Sequence, residues 1–262
     1  MYAEEDVTYP CPIGGGGIIA KRSDTDRTTM KEDVNRYHGT DIDVTYDSNR
    51  CIHVRACVDG LPGVFDPTDR PWIDLDGANP DEVAEVIERC PTGALHYERR
   101  DGAADERPPS RNTVTPVANG PLYLHGDVTL ETPAGETLLE DTRIALCRCG
   151  HSENKPLCDN SHARVFDVDG VAPEDVSTTG VGEPAESDSQ WEDRDAETPR
   201  KLTVTLTKNG PFRFDGTFAL HGSDEHHRYD DATLCRCGGS ANKPFCDGTH
   251  SEIGFSTGDE ER

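Results

Sequence analysis

Long apolar runs, aromatic residues and lysine are all scarce in this 262-residue chain. No stretch approaches the roughly 18 apolar residues that a membrane-spanning helix needs, which sets aside an integral helical membrane protein. Only 33% of the residues are hydrophobic and 6% aromatic, too few for one large core, so several small modules are expected. Of the 26 basic residues only six are lysine, against 51 acidic ones, and the formal net charge is −25. Phosphate binding needs a basic face, so nucleic acid is not an expected partner. Acidity spread along the whole chain reads instead as a solvated surface of the halophilic type. The opening residues lack a basic segment followed by an apolar one, so the expectation is a soluble, cytoplasmic protein without a membrane partner.

Catalytic signatures are missing too: there is no nucleophile-and-base constellation, phosphate loop or nucleotide fingerprint, so the chain does not read as an enzyme. What it does have is cysteine, ten in all. In a reducing compartment such spacings read as metal ligation before disulfides, and small modules commonly need a metal staple. The stretch "CRCGHSENKPLCDNSH" begins at Cys147 and "CRCGGSANKPFCDGTH" at Cys235. Both follow C-x-C-x8-C-x3-H, so Cys147, Cys149, Cys158 and His162 reappear as Cys235, Cys237, Cys246 and His250. A spacing of two along an extended chain puts both thiolates on one side. A spacing of four puts the third cysteine and the histidine on one face of a helical turn. Asp159 and Asp247 stand where they can cap that turn. By count, four such ligands suit a tetrahedral zinc ion or a [2Fe–2S] cluster, and spacing alone leaves both open.

The rest of the chain divides around these motifs. Residues 1–30 carry four consecutive glycines without periodicity and read as a flexible tail, in which Cys11 is a lone, spare thiol. Residues 31–100 read as a small α+β unit. "DIDVTYD" from Asp41 puts Ile42, Val44 and Tyr46 on one face of a strand, and Asn79 with Pro80 opens a helix bearing Val83, Val86 and Ile87. "ALHY" supplies a closing strand. Residues 101–113 read as a linker, 171–200 as a second, acidic linker, and 257–262 as a charged tail. Between them lie two β-rich repeats, 114–170 and 201–256. In "NGPLYLHGDVTL" from Asn119 and "NGPFRFDGTFAL" from Asn209, alternating runs flank His125-Gly126 or Asp215-Gly216, which predicts a β-hairpin turning at the glycine.

The words around the ligands resemble the CDGSH iron–sulfur family, whose pattern is C-x-C-x2-[ST]-x3-P-x-C-D-G-[ST]-H. Ser152, Pro156 and Asp159 match in the first repeat, and Ser240, Pro244, Asp247, Gly248 and Thr249 in the second. The first repeat departs at Asn160, where the family has glycine; asparagine is the next most tolerant residue of a left-handed conformation. The resemblance implies a [2Fe–2S] cluster on three cysteines and one histidine in each repeat. It also implies that the two motifs pair by exchanging strands, here as an intramolecular pseudo-dimer in a monomeric chain.

"CIHVRACVDGLPGVFD" from Cys51 and "CPTGAL" from Cys90 resemble a divergent branch of the single-cluster bacterial-type ferredoxins. Val54 occupies the middle cysteine position and His53 stands one place earlier. The resemblance implies that Cys51, Cys57 and Cys90 hold either a [3Fe–4S] cluster unaided or a [4Fe–4S] cluster completed by His53. Nine of the ten cysteines are then accounted for. The fold expected is α+β, a ferredoxin-like domain followed by two small CDGSH modules. The function expected is electron transfer with redox partner proteins. The alternatives are an iron–sulfur sensor, a donor that passes labile clusters to apo-acceptors, and a purely structural metalloprotein.

Overall fold

The computed structural model describes residues 33–168, 201–221 and 226–258. The expected tail 1–30 with Cys11, the acidic linker 171–200 and the last four residues lie outside the described residues. Strand outweighs helix, 35% to 13%, so the chain is mostly β with its longest helix in the N-terminal unit. Among the described residues no helix is long and apolar enough to cross a membrane.

The N-terminal unit is a three-stranded antiparallel sheet in the order β1 (Val34–His38), β2 (Ile42–Asp47), β3 (Leu95–Arg99). Helices α1 (Ala56–Gly60) and α2 (Pro80–Glu88) intervene between β2 and β3. The cap on α2 forms as its sequence dictates: the Asn79 side chain accepts from Asp81 N at 2.8 Å, and the Glu82 carboxylate accepts from Asn79 N at 3.3 Å. Val83, Val86 and Ile87 then face Ile42, Val44 and Leu95 in one core. Strand β1 has mostly exposed residues and no alternating pattern, so only pairing with β2 defines it.

The C-terminal unit is a single six-stranded sheet built from both repeats. The first contributes β4 (Thr113–Pro116), β5 (Leu122–Glu131) and β6 (Thr137–Leu146), followed by a short α3 (His162–Val165). The second contributes β7 (Leu202–Leu206), β8 (Phe212–His221), β9 (His226–Leu234) and α4 (Thr249–Glu252). Strand β5 pairs antiparallel with β4 over Leu122–His125 and parallel with β7 over Val128–Glu131. Strand β8 does the same in mirror, antiparallel with β7 and parallel with β4. One apolar core, from Val114 and Leu122 to Phe218 and Phe245, runs through both repeats.

The expected hairpin turns at His125-Gly126 and Asp215-Gly216 are not turns. Both glycines lie inside long strands, at register shifts between His125 and Val128 and between Asp215 and Phe218. Each shift is where the strand changes partner, and the start of a neighbouring strand presses on the glycine. A Cβ on Gly126 would stand 2.1 Å from Asn112 Oδ1, and one on Gly216, at φ +117, would stand 2.7 Å from Lys201 O. The glycines serve close approach at a bulge, a role that local alternation cannot distinguish from a turn.

A buried polar junction fastens the two units together. Arg143 of β6, 2% exposed, donates to Cys90 O (2.9 Å), Leu95 O (2.8 Å) and Ile87 O, so it caps the carboxyl end of α2 from the other unit. Its charge is met by Glu106 at 2.7 Å. Arg50 donates to Thr92 O and to Arg143 O, both at 2.8 Å, and pairs with Asp141 at 2.5 Å. His96 Nδ1 contacts Glu106 at 2.8 Å, and Nε2 lies 3.2 Å from Asp141, an ion-pair distance without hydrogen-bond alignment. Burial works against charging His96, but Asp141 and Glu106 outweigh it and raise its pKa to about 9. The 101–113 stretch, read from composition as a linker, is thus pinned by Glu106.

Candidate metal centres

Each CDGSH-like loop leaves the end of a long strand and folds back on it. Cys147 N donates to Pro156 O and Cys158 N to Ala145 O, both at 2.9 Å; Cys235 N donates to Pro244 O at 2.7 Å and Cys246 N to Thr233 O at 2.9 Å. The motif serine braces the loop: Ser152 Oγ donates to Leu157 O at 2.7 Å, and Ser240 Oγ to Phe245 O at 2.6 Å. Asp159 accepts from Glu153 N (2.7 Å) and Ser161 N (2.9 Å), and Asp247 from Ala241 N (2.7 Å) and Thr249 N (3.0 Å). Each aspartate therefore ties the start of the short helix to the preceding loop; the N-cap positions themselves are Ser161 and Gly248, and neither makes a side-chain cap hydrogen bond. Asn160 sits at φ 73 where Gly248 sits at φ 90, so asparagine does take the left-handed place of glycine.

The third cysteine is not on a helical turn with its histidine. Helix α3 begins at His162 and α4 at Thr249, leaving Cys158 and Cys246 in the loops before them. The left-handed residue brings the side chains together nonetheless, with Cys158 Sγ 3.2 Å from His162 Nδ1 and Cys246 Sγ 3.4 Å from His250 Nδ1. The other two ligands also pair: Cys147 and Cys149 sulfurs are 3.6 Å apart, and those of Cys235 and Cys237 3.8 Å. Two thiolates bound to one tetrahedral metal at about 2.3 Å stand about 3.8 Å apart. Among the described residues, no three Cys, His, Asp or Glu side chains gather round one point as a single ion requires. The donors in each loop are arranged two plus two.

Within each thiol pair a hydrogen bond favours one thiolate: Cys149 lowers the pKa of Cys147, and Cys235 lowers that of Cys237. Burial pushes Cys158 up to about 12, and raises Cys246 as well. Burial lowers His162, favouring the neutral imidazole that can ligate.

In the N-terminal unit, Cys51, Cys57, Cys90 and His53 line one small, partly open pocket together with Ile52, Trp72 and Leu95. Burial pushes the Cys57 thiol up to about 11, with Cys90 and then Cys51 adding to the rise. His53 is exposed, with φ 58 and Nδ1 3.9 Å from Cys51 Sγ. Val54 is 48% exposed at the position where ferredoxins carry a further cysteine.

The sites touch one another. Ile52, Ala145 and Cys158 form a small buried cluster with Tyr123 packed against it. The Tyr123 phenol is pushed up to about 12 by burial first, then by Cys158 and Cys90. Across the repeats, a Cβ on Gly150 would stand 2.6 Å from Cys237 O, and one on Gly238 2.6 Å from Cys149 O. Sequence reasoning missed Tyr123, Arg143, Arg50, Glu106 and Asp141; none carries a local motif.

Family comparison matches residues 37–100 to the divergent 4Fe-4S mono-cluster model and residues 119–163 and 209–251 to the iron-binding zinc finger CDGSH type. The uncharacterized protein YjdI of Escherichia coli K12 is 38% identical over 64 residues, 24% of this chain and 84% of its own length. The chain belongs to the divergent 4Fe–4S mono-cluster family and adds two CDGSH domains. Ferredoxin-1 of Desulfocurvibacter africanus is also similar to part of this chain, 36% identical over 56 residues, 20% of this chain and 86% of the ferredoxin. No solved structure matches. In this family setting the mono-cluster domain and its two CDGSH partners make the chain an iron–sulfur protein.

Proposed function

We propose that the protein is a non-catalytic electron carrier with two [2Fe–2S] clusters and one ferredoxin-type cluster. The observation that carries this reading is the two-plus-two arrangement of donors, found twice. One iron per pair suits it, with Cys147 and Cys149 facing Cys158 and His162, and Cys235 and Cys237 facing Cys246 and His250. In the N-terminal cavity, Cys51, Cys57 and Cys90 would hold a [3Fe–4S] cluster, or a [4Fe–4S] cluster with His53 as fourth ligand. The clusters supply one-electron chemistry when bound. The chain supplies thiolates, a neutral imidazole and a dry surround from Ile52, Leu157 and Phe245. Reciprocal pairing of β4 with β8 and β7 with β5 supports the repeats as an intramolecular pseudo-dimer in a monomer. Histidine ligation raises iron–sulfur potentials, so the two kinds of centre differ in potential. Soluble one-electron redox proteins in the cytoplasm are the partners this fits.

Anaerobic iron and sulfide determination on the full chain tests the reading. It requires about four irons and four sulfides from the repeats beyond those of the N-terminal centre, with reversible reduction. Stoichiometric zinc in colourless protein would refute it. The half-exposed His162 and His250 favour a second reading, a cluster donor or sensor. Activation of an apo-acceptor with loss of colour would select it.

A further inference from the structure

Resting on the carrier reading, we propose that the three sites stand in a fixed order: N-terminal centre, first repeat, second repeat. The contact of Ile52 and Tyr123 with Cys158 is where an electron crosses from the first to the second of them.

Ile52 adjoins the candidate ligand Cys51 and shares a small buried cluster with Ala145 and Cys158, a candidate ligand of the first repeat. Tyr123 seals the same spot within electrostatic reach of Cys90 and Cys158. A candidate ligand of one centre and the chain neighbour of a candidate ligand of the other thus lie in one buried apolar cluster. Further bonds hold the same seam shut, from Arg143 to Cys90 O (2.9 Å) and from Asn154 Nδ2 to Asn49 O (2.7 Å). Cys149 and Cys237 meet through the paired glycines Gly150 and Gly238 at the second seam. At the position of Tyr123 the second repeat has an exposed Arg213. With clusters bound, one electron from an external one-electron donor would pass between the donors of the N-terminal unit (Cys51, Cys57, Cys90) and those of the first repeat through the Ile52–Tyr123 cluster, and would leave to an external one-electron acceptor with no bond made.

The test uses full-length, cluster-loaded protein reduced chemically. Two paired variants, Cys158→Ala with His162→Ala and Cys246→Ala with His250→Ala, each remove one repeat's centre. The paramagnetic signal of the N-terminal centre should lose its fast relaxation in the first pair and keep it in the second. Unchanged relaxation in the first pair, or equal loss in both, would overturn the order. Should a paired variant fold poorly, Tyr123→Leu decides: electron redistribution after a photochemical pulse should slow relative to the parent and to Arg213→Leu. Equal rates in all three would overturn the crossing at Tyr123. Centres that cannot be reversibly reduced would remove the carrier reading and the order with it, whereas reversible but uncoupled centres would remove the order alone.

Discussion

The two repeats agree in their candidate ligand loops and differ where only one of them is covered. Counting back from Cys147 and Cys235, Arg143 and Ala145 answer to Asp231 and Thr233; counting from the NGP triplets, Tyr123 answers to Arg213. In the first repeat Arg143 and Ala145 are buried and Tyr123 half-buried; in the second Asp231 and Arg213 are exposed and Thr233 half-exposed. The difference follows from one neighbour. The N-terminal unit brings the carbonyls of Ile87, Cys90 and Leu95 to the first repeat, and these can solvate a buried guanidinium. An arginine buried at that place without acceptors would cost several kcal/mol. Loop geometry follows the shared ligand motif, and strand-face chemistry follows the docking partner.

The comparison breaks most sharply at Arg143. Arg143→Ala strands Glu106 and three carbonyls in the junction and should cost about 3–5 kcal/mol, whereas Asp231→Ala should change stability by less than about 0.5 kcal/mol. Denaturant titration of both full-length variants checks this, and equal midpoints would contradict the assigned role of the junction.

Acid and alkali should each weaken the junction, through different groups. His96 is held at about 9 when folded against about 6.5 unfolded. Its contribution is therefore complete below about pH 6.5 and fades as pH rises towards 9. It is on the order of 2 kcal/mol after allowance for partial exposure. Asp141 and Glu106 are lowered despite burial, by His96 and the arginines, so their contribution is lost as pH falls below about 4. Stability measured against pH in high salt should peak between these limits, and His96→Gln should flatten the alkaline side.

Cluster lability sharpens the comparison further. Cys158 is 3% exposed beneath the N-terminal unit, while Cys246 is half-exposed. Visible absorbance near pH 6 should decay in two phases about tenfold apart, the slower belonging to the first repeat, since the shell around a ligand alters metal affinity by such factors. Replacing His162 and His250 by cysteine should slow both phases, because protons then lose the imidazole target. The smallest effect concerns the left-handed position. Gly248→Ala at φ 90 should cost about 1 kcal/mol and Asn160→Gly little or nothing, read from thermal midpoints.

Whatever depends on neighbours in sequence could be read from the sequence. The C-x-C pairs, the cap of α2 at Asn79, the inward face of Ile42, Val44 and Tyr46, and the left-handed Asn160 all arise from bond geometry within a few residues. Gly126 and Gly216 were misread because a glycine permits a turn and a bulge equally, and only the strand lying against it chooses. The junction was illegible for the same reason on a larger scale. Arg50 meets Asp141 and Arg143 meets Cys90 across 91 and 53 residues of chain, and no local pattern marks either arginine. Burial turned them into structural groups: a guanidinium with its carbonyl and carboxylate partners in place is stable inside a protein, and only the tertiary fold brings those partners to it.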